Sequence, residues 1–322
     1  MAFRQDYPKL MVKDMYGYFF EKYDSLPKKY TEIFEVRNSG SAFEQNTTAL
    51  GMGKLSERLE GDDIVISNPL EGFTVYAKNR TFSDGFYFTM EFVEDTPPEK
   101  IENIVRSHAQ TWGEMVGVTK EEYAAKFFNY GGYTAGHSTF NASIPGVLTD
   151  PSGDLVYDGK PFFNLSNNTR SSKGGGTYYN GLAVSLSSDN LQTAYNLMTS
   201  TNNRTERDER ISLMPDILLI PPALKFTADD ILKSTNVLGS ANNNINPTQN
   251  LLTPVVWQYL TDTDAWFVGK AKAGLVWYER KQPVIDFFQD PNNKKFYATI
   301  DARWGAAVEN WRYWVGSNFS TS

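Results

Sequence analysis

Cysteine is absent from all 322 residues. That excludes disulfides, thiolate metal sites and a cysteine nucleophile, and it fits a reducing compartment. Histidine occurs only twice, as His108 and His137. Neither stands in a His-x-x-x-His or His-Glu pattern, so the spacing does not support a zinc centre. No segment approaches the roughly 18 uninterrupted apolar residues of a membrane span. The opening MAFRQDYPKLMVKD has no apolar core of a secretory signal. Net charge is −7 with 21% charged residues, so bulk charge does not point to nucleic acid. The 40% of hydrophobic residues suffices for a globular chain of one elaborated domain or two.

The charge is unevenly placed. Residues 1–40 hold seven Lys/Arg against six Asp/Glu, whereas residues 41–95 hold four against ten, a net −6. The first segment is aromatic: Tyr16, Phe19, Phe20 and Tyr23 recur at helical spacing before Pro27. Aromatics bury much area per residue, so Phe19 and Tyr23 are candidates to dock on another subunit. Residues 41–95 combine a polar, Gly-containing stretch with alternating Val65, Phe73, Val75, Phe86, Phe88 and Met90. This predicts a long two-stranded excursion with an acidic tip, which needs a surface to lie on.

The clearest helix is predicted over 97–130. Thr96 is a candidate cap, Pro97 and Pro98 suit a first turn, and Gly131-Gly132 end it. Its stripe reads Ile101, Ile104, Val105, His108, Trp112, Met115, Val116, Tyr123 and Phe127, with Gly113 and Gly117 as candidate bend points. A span of roughly 50 Å makes it a strut. Residues 131–181 are rich in loop signals, and a helix capped by Ser187 or Ser188 follows. In PDILLIPPALKFTADDILKST a continuous apolar run, Ile217–Ile220, is stopped by Pro221-Pro222. A helix comes next, with Phe226, Ile231 and Leu232 at helical spacing. The segments around LLTPVVWQYL, DAWFVG, GLVWYERKQPVIDFF and KKFYATIDARWGAAV read as strands.

No catalytic set assembles. Ser138 beside His137 lacks a Gly-x-Ser-x-Gly elbow. Ser172 to Thr177, SKGGGT, has the wrong order for a phosphate loop and reads as a turn. Asp150, Asp154 and Asp158 are four apart, where a calcium loop needs spacings of two. Asp262 and Asp264 fit a turn with Asx-type hydrogen bonds. The parts therefore suggest a non-enzymatic subunit of an assembly, without cofactor or metal.

YDGKPFFNLSNNTRSSKGGGTYYNG, PDILLIPPALKFTADDILKS, NNINPTQNLL, YLTDTDAWFVGK, GLVWYERKQPV and FYATIDARWG, in this order, resemble the major capsid proteins of tailed bacteriophages. Within the Hong-Kong-97-like fold they are most similar to the Mu-like head-subunit group. The likeness spans roughly 98–305 and rests on segment order. It implies an α+β fold with an N-terminal arm (1–40) and an extended β-hairpin loop (41–92). It also implies a peripheral domain (93–145 and 283–322) with a spine helix at 97–130, and an axial domain (146–282). The arm would cross neighbouring subunits, the loop would lie over one, and Ile217–Ile220 would be a central axial strand.

The implied function is a structural shell of pentamers and hexamers, an icosahedral head around double-stranded DNA bound without sequence specificity. Implied partners are a separate scaffolding protein, a portal and a decoration or cement protein; no membrane is implied. Assembly would take place in the host bacterial cytoplasm and the product would be the virion. Inter-subunit contacts are expected from Phe19 and Tyr23, and between the acidic Glu57, Glu60, Asp62 and Asp63 and the basic Arg204, Arg207 and Arg210. The alternatives are an encapsulin-like compartment shell, or a hydrolase or binding module with a site in the Gly/Asn-rich loops.

Overall fold

The computed structural model describes residues 7–49, 57–61, 63, 71–134, 137, 156–236 and 244–321. In chain order the first elements are α1 (Tyr7–Ser25), α2 (Tyr30–Ile33), β1 (Glu35–Asn38), β2 (Phe43–Ala49), β3 (Glu71–Lys78) and β4 (Arg80–Phe88). Then come α3 (Met90–Asp95), α4 (Pro98–Asn129), β5 (Arg170–Ser171), β6 (Thr177–Tyr178), β7 (Gly181–Leu182) and α5 (Ser188–Asn196). The last are β8 (Ile217–Ile220), α6 (Lys225–Lys233), β9 (Thr253–Val256), β10 (Trp266–Gly269), β11 (Leu275–Gln289), β12 (Phe296–Val308) and β13 (Trp314–Ser317).

Two main sheets share one long helix. The first has strand order β1-β11-β12-β4 and the second β7-β13-β10-β8-β9. Strand β8 explains its uninterrupted apolar run: period-2 alternation sends Ile217 and Leu219 into one core cluster, Leu218 and Ile220 into another. Leu232 and Ala228 of α6 pack in the second cluster, so the helix braces the strand as expected. Phe226 departs from the expected stripe and is exposed, because α6 starts at Lys225 behind a 3-10 turn at Pro222–Leu224. Helix α5 is capped by Ser187, whose hydroxyl accepts from the Asn190 N–H at 3.2 Å.

Helix α4 runs close to its expected bounds. Its N-cap is Pro97; Thr96 instead ends α3 by donating its N–H to the Phe92 carbonyl at 3.1 Å. The buried stripe is Ile101, Val105, Ala109, Trp112, Tyr123, Ala124, Phe127 and Phe128, while His108 and Met115 lie on its exposed flank. Against it lie Met15, Phe19 and Tyr23 of α1 together with Ile285, Ala298 and Ile300 of the first sheet. The Tyr16 hydroxyl accepts from the Ile285 N–H at 2.8 Å. Residues 15–38 therefore build the core of their own subunit rather than a free arm.

The ribbon also differs from the expected hairpin. Its strands are β2 and β3, in register from Phe43↔Lys78 to Ala49↔Glu71. Strand β4 leaves it and joins β12 in the first sheet. The base of the ribbon lies on its own subunit, with Val75 and Ala77 packed on Val276, Tyr278 and Ala307. That covers the second face of β11 and accounts for five consecutive buried residues at its start. Two expected borders move as well. The one at 282/283 falls inside β11, a single strand that continues through a bulge near Pro283. The terminal β13 belongs to the second sheet, paired with β10 and β7.

Gly113 marks the closest approach of α1 to α4, since a Cβ there would stand 2.7 Å from the Phe19 carbonyl oxygen. At Gly117 the nearest atom is only the Leu26 Cδ1, at 3.0 Å. Gly113→Ala is expected to destabilise the fold by about 1–3 kcal/mol through overpacking. Gly117→Ala, where a flexible tip can yield and helix propensity rises, is expected to be neutral or stabilising. Urea unfolding of the two variants checks the contrast.

Candidate functional site

The polar groups of this subunit gather into three networks that hold loops and ribbon against the sheets. The first centres on α4. The Lys120 ammonium donates to Glu279 Oε1 at 2.8 Å and to the Tyr23 hydroxyl at 3.0 Å, and it stands 5.2 Å from the Trp304 ring. Trp277 Nε1 donates to the other Glu279 oxygen at 3.0 Å. Lys120 is 1% exposed, so this ion pair lies out of water and depends on its full set of partners. The next residue, Glu121, accepts from Trp257 Nε1 at 2.6 Å and from the Tyr30 N–H at 3.3 Å. Burial raises its carboxyl above the ordinary range against the lowering effect of those two donors. Burial, with Tyr23 and Glu279 nearby, also raises the Tyr30 hydroxyl.

The second network sits where the ribbon leaves the sheet. Glu309 accepts from Arg37 at 2.8 Å, from the Tyr278 hydroxyl at 3.0 Å, and from Asn46 of β2. Asn79 at the other foot donates to the Ser39 hydroxyl at 2.6 Å and to the Ser41 carbonyl at 2.8 Å. Ser39 in turn donates to Glu44 at 2.6 Å. Both feet of the ribbon are thus pinned to their own sheet.

The third network organises the SKGGGT segment, which sequence alone reads as a turn. It is the turn of the β5–β6 hairpin, wrapped round Asp208. That carboxylate accepts from the Ser172 hydroxyl at 2.6 Å, the Tyr178 hydroxyl at 2.6 Å and the Gly176 N–H at 2.9 Å. A Cβ at Gly174 would stand 2.4 Å from Asp208 Oδ2, so the glycine is there for close approach. Burial would raise the Asp208 carboxyl, but hydrogen bonds from Ser172, Tyr178 and Gly176 and the charge of Arg204 hold it below the usual range. Beside it, buried Glu206 pairs with Arg312, whose guanidinium carbon lies 4.5 Å from the Trp311 ring. Arg170 approaches the same ring, at 5.2 Å, and donates to Asp158 at 2.6 Å.

The candidate contact residues divide accordingly. Phe19 and Tyr23 are buried against α4, so their aromatic area is used inside the subunit and not on a neighbour. Glu57, Glu60 and Asp63 are exposed. Asp62 lies outside the described residues. Arg210 is exposed, Arg204 and Arg207 are half-buried, and all three stand on one loop, in which Arg204 and Arg210 form a β-bridge.

The residues weighed for chemistry are scattered. His108 stacks on Phe86 at 4.5 Å and His137 lies 4.9 Å from the Tyr133 ring. Ser138, Asp150 and Asp154 lie outside the described residues, and Asp158 pairs with Arg170. The Asp264 N–H donates to Asp262 at 3.4 Å, the expected Asx turn. Contact with the Asp262 carboxyl, then burial, holds Asp264 above the ordinary range. The same two carboxyls accept from Asn318 at 2.7 Å and Ser320 at 3.1 Å, tying down the chain end. Among the described residues no group of three His, Cys, Asp or Glu is placed to hold a metal. Among the same described residues no helix is long and apolar enough to cross a membrane.

Solved structures share this architecture at low identity. The capsid of a native GTA particle is 12% identical over 92% of each chain, with a TM-score of 0.54. A chain from Mycobacterium phage Patience is 10% identical over 98% of this chain and 88% of its own, at 0.53. The capsid of the Cyanophage P-SCSP1u is 8% identical over 90% and 88%, at 0.52. Among curated proteins none matches. Two sheets on one spine helix, with a ribbon pinned at its feet, make up the Hong-Kong-97-like fold. The chain belongs to the phage capsid protein family, whose model matches residues 72–317. It is a structural major capsid protein that forms an icosahedral shell, and its place is the virion.

Removing Lys120 alone leaves the Glu279 carboxylate buried without its cation. Lys120→Met is expected to cost about 3–5 kcal/mol. Adding Glu279→Gln, which removes the charge and keeps an acceptor for Trp277, should recover part of it. Chemical denaturation of the single and double variants measures both. For Asp208, the folded carboxyl titrates below the unfolded one, so its stabilisation is full above the unfolded pKa of about 3.9. It is lost as pH falls through the folded value. Asp208→Asn should therefore flatten the acid limb of the stability–pH curve, as read by thermal melts at stepped pH.

Proposed function

We propose that this protein builds the head of a tailed bacteriophage as pentamers and hexamers in a closed icosahedral shell. Double-stranded DNA fills the shell and is held without sequence specificity. The observation that carries the reading is the family match across the spine helix, the second sheet and all of the first sheet but β1, residues 72–317. A body with two sheets packed on one helix suits reuse of the same patches around closed symmetry axes. The second sheet, in which β8 lies between β10 and β9, is the axial part; β11, β12, β4 and α4 form the peripheral part; and the far end of the ribbon lies over an adjacent subunit.

A separate scaffolding protein guides assembly in the host bacterial cytoplasm, a portal occupies one vertex, and a decoration or cement protein adds to the finished shell. The near-neutral charge of residues 1–40 suits an inner surface that neither grips nor strongly repels packaged DNA. Electron microscopy of the purified protein, alone and co-expressed with a candidate scaffold, tests the proposal. Closed icosahedral shells, or free rings of five or six, are expected. A monodisperse small oligomer under both conditions would overturn it.

A further inference from the structure

Helices α1 and α4 cover one face of the first sheet, and the ribbon packs on the other face at its inner end, over Val276, Tyr278 and Ala307. At the outer end of that second face three strands contribute one ring each. Phe288 of β11, Tyr297 of β12 and Tyr87 of β4 stand opposite one another in register. Their neighbours Phe287, Ala298 and Phe86 pack on the α1–α4 side, so period-2 alternation sets the three rings together on the open face. Ring centres are 5.4 Å apart for Phe288 and Tyr297 and 5.8 Å apart for Tyr297 and Tyr87, with planes 15° and 44° apart. Tyr87 and Phe288 are 53% and 50% exposed. Polar groups rim the row. The Asn293 amide donates to the Tyr297 hydroxyl at 3.1 Å, and the Lys295 ammonium lies 4.2 Å from the centre of the Tyr87 ring. Both residues belong to the turn 290–295, which is closed by the Lys294 N–H on the Asp290 carbonyl at 2.9 Å and the Asp290 N–H on the Lys295 carbonyl at 3.0 Å. On the adjoining rung stand Asp286, Thr299 and Gly85, a carboxylate, a hydroxyl and no side chain.

We propose that this row is a stacking platform for a neutral oligosaccharide, an extended glycan whose pyranose units lie on Phe288, Tyr297 and Tyr87 in turn. The inference goes beyond the shell reading and does not depend on it. Spacing, charge and area select that occupant. Each step between ring centres is about the length of one pyranose unit in an extended chain. The negative face of an aromatic ring attracts the weakly positive C–H groups of a sugar face, while the sugar's rim of hydroxyls meets Asp286, Thr299, Asn293 and Lys295. Around the row Asp286 and Asp290 offset Lys294 and Lys295, so there is no net field to hold a polyanion such as a nucleic acid. The area is also too small for a protein. Aromatic side chains carry about 150–250 Å² each, so the uncovered part of three rings amounts to roughly 300 Å², against about 800 Å² per partner in a standard interface between proteins.

Isothermal titration calorimetry of the full chain with cellohexaose and with chitohexaose, at low and at high salt, tests the assignment. Saturable binding of at least one of the two is expected, and it should be insensitive to salt because no ion pair carries it. Tyr297→Ala, at the centre of the row, should weaken that binding by about tenfold or more. Tyr297→Phe keeps the ring and should retain most of the affinity. Thermal melts are the folding control, and Tyr87→Ala on the outer strand is the second variant if Tyr297→Ala fails to fold. Wild-type protein that binds neither sugar would overturn the proposal, as would binding undiminished in Tyr87→Ala. So would loss of shell assembly in Tyr87→Ala/Phe288→Ala with an unchanged melt, which would place the rings in a contact between copies. Salt-sensitive binding of single-stranded DNA that the same variants abolish would overturn it too, and would make nucleic acid the occupant.

Discussion

One turn of the spine helix carries the constraint on which the rest of the subunit depends. Lys120 and Glu121 are adjacent in sequence, yet they bind different parts of the fold. Lys120 reaches Glu279 on β11 and the Tyr23 hydroxyl on α1. Glu121 reaches Trp257, just past β9, and the backbone of α2. Both sit in a shell of tryptophan and tyrosine rings that excludes water. The Coulomb attraction there is stronger than at a surface, and each unmatched charge would be costly. The pair thereby links the first sheet, the second sheet and both N-terminal helices through a single helical turn.

The other two networks extend the same logic outward. Glu309 with Arg37, Tyr278 and Asn46 pins one foot of the ribbon, and Asn79 with Ser39 pins the other. The ribbon therefore leaves the body at a set place. A shell subunit requires this, since each copy must present the same patches for symmetry to close. Asp208 does the corresponding task for the β5–β6 hairpin. Neutral donors hold an ionised carboxylate, and the arginines of the same loop are left facing outward or half-buried.

Local pattern made much of this fold legible. The stripe on α4, the Ser187 cap, the apolar run of β8 stopped by two prolines and the later strands all follow from residues close in sequence. Other features were hidden because distant residues decide them. Tyr16 to Tyr23 read as an aromatic segment seeking a partner, and the partner proved to be α4 of the same chain. Gly113 read as a bend point, whereas its role is contact with the backbone of α1. Phe226 read as sharing helical spacing with Ile231 and Leu232, and with the helix starting behind the 3-10 turn at Pro222–Leu224 it is exposed. The SKGGGT segment gave no hint of Asp208, which lies more than thirty residues later.

Element types, the absence of thiol chemistry and, through segment order, the capsid family can all be read along the chain. These depend on local periodicity, on turn residues and on composition. Which charges are buried and matched follows instead from how the chain packs. In the run from Arg204 to Arg210 equal numbers of positive and negative groups leave composition silent. The direction each side chain takes is set by Arg312, Ser172 and Tyr178, groups brought close only by folding. The physical reason is that burying a charge is tolerated only where a partner waits for it, and those partners come from remote parts of the chain.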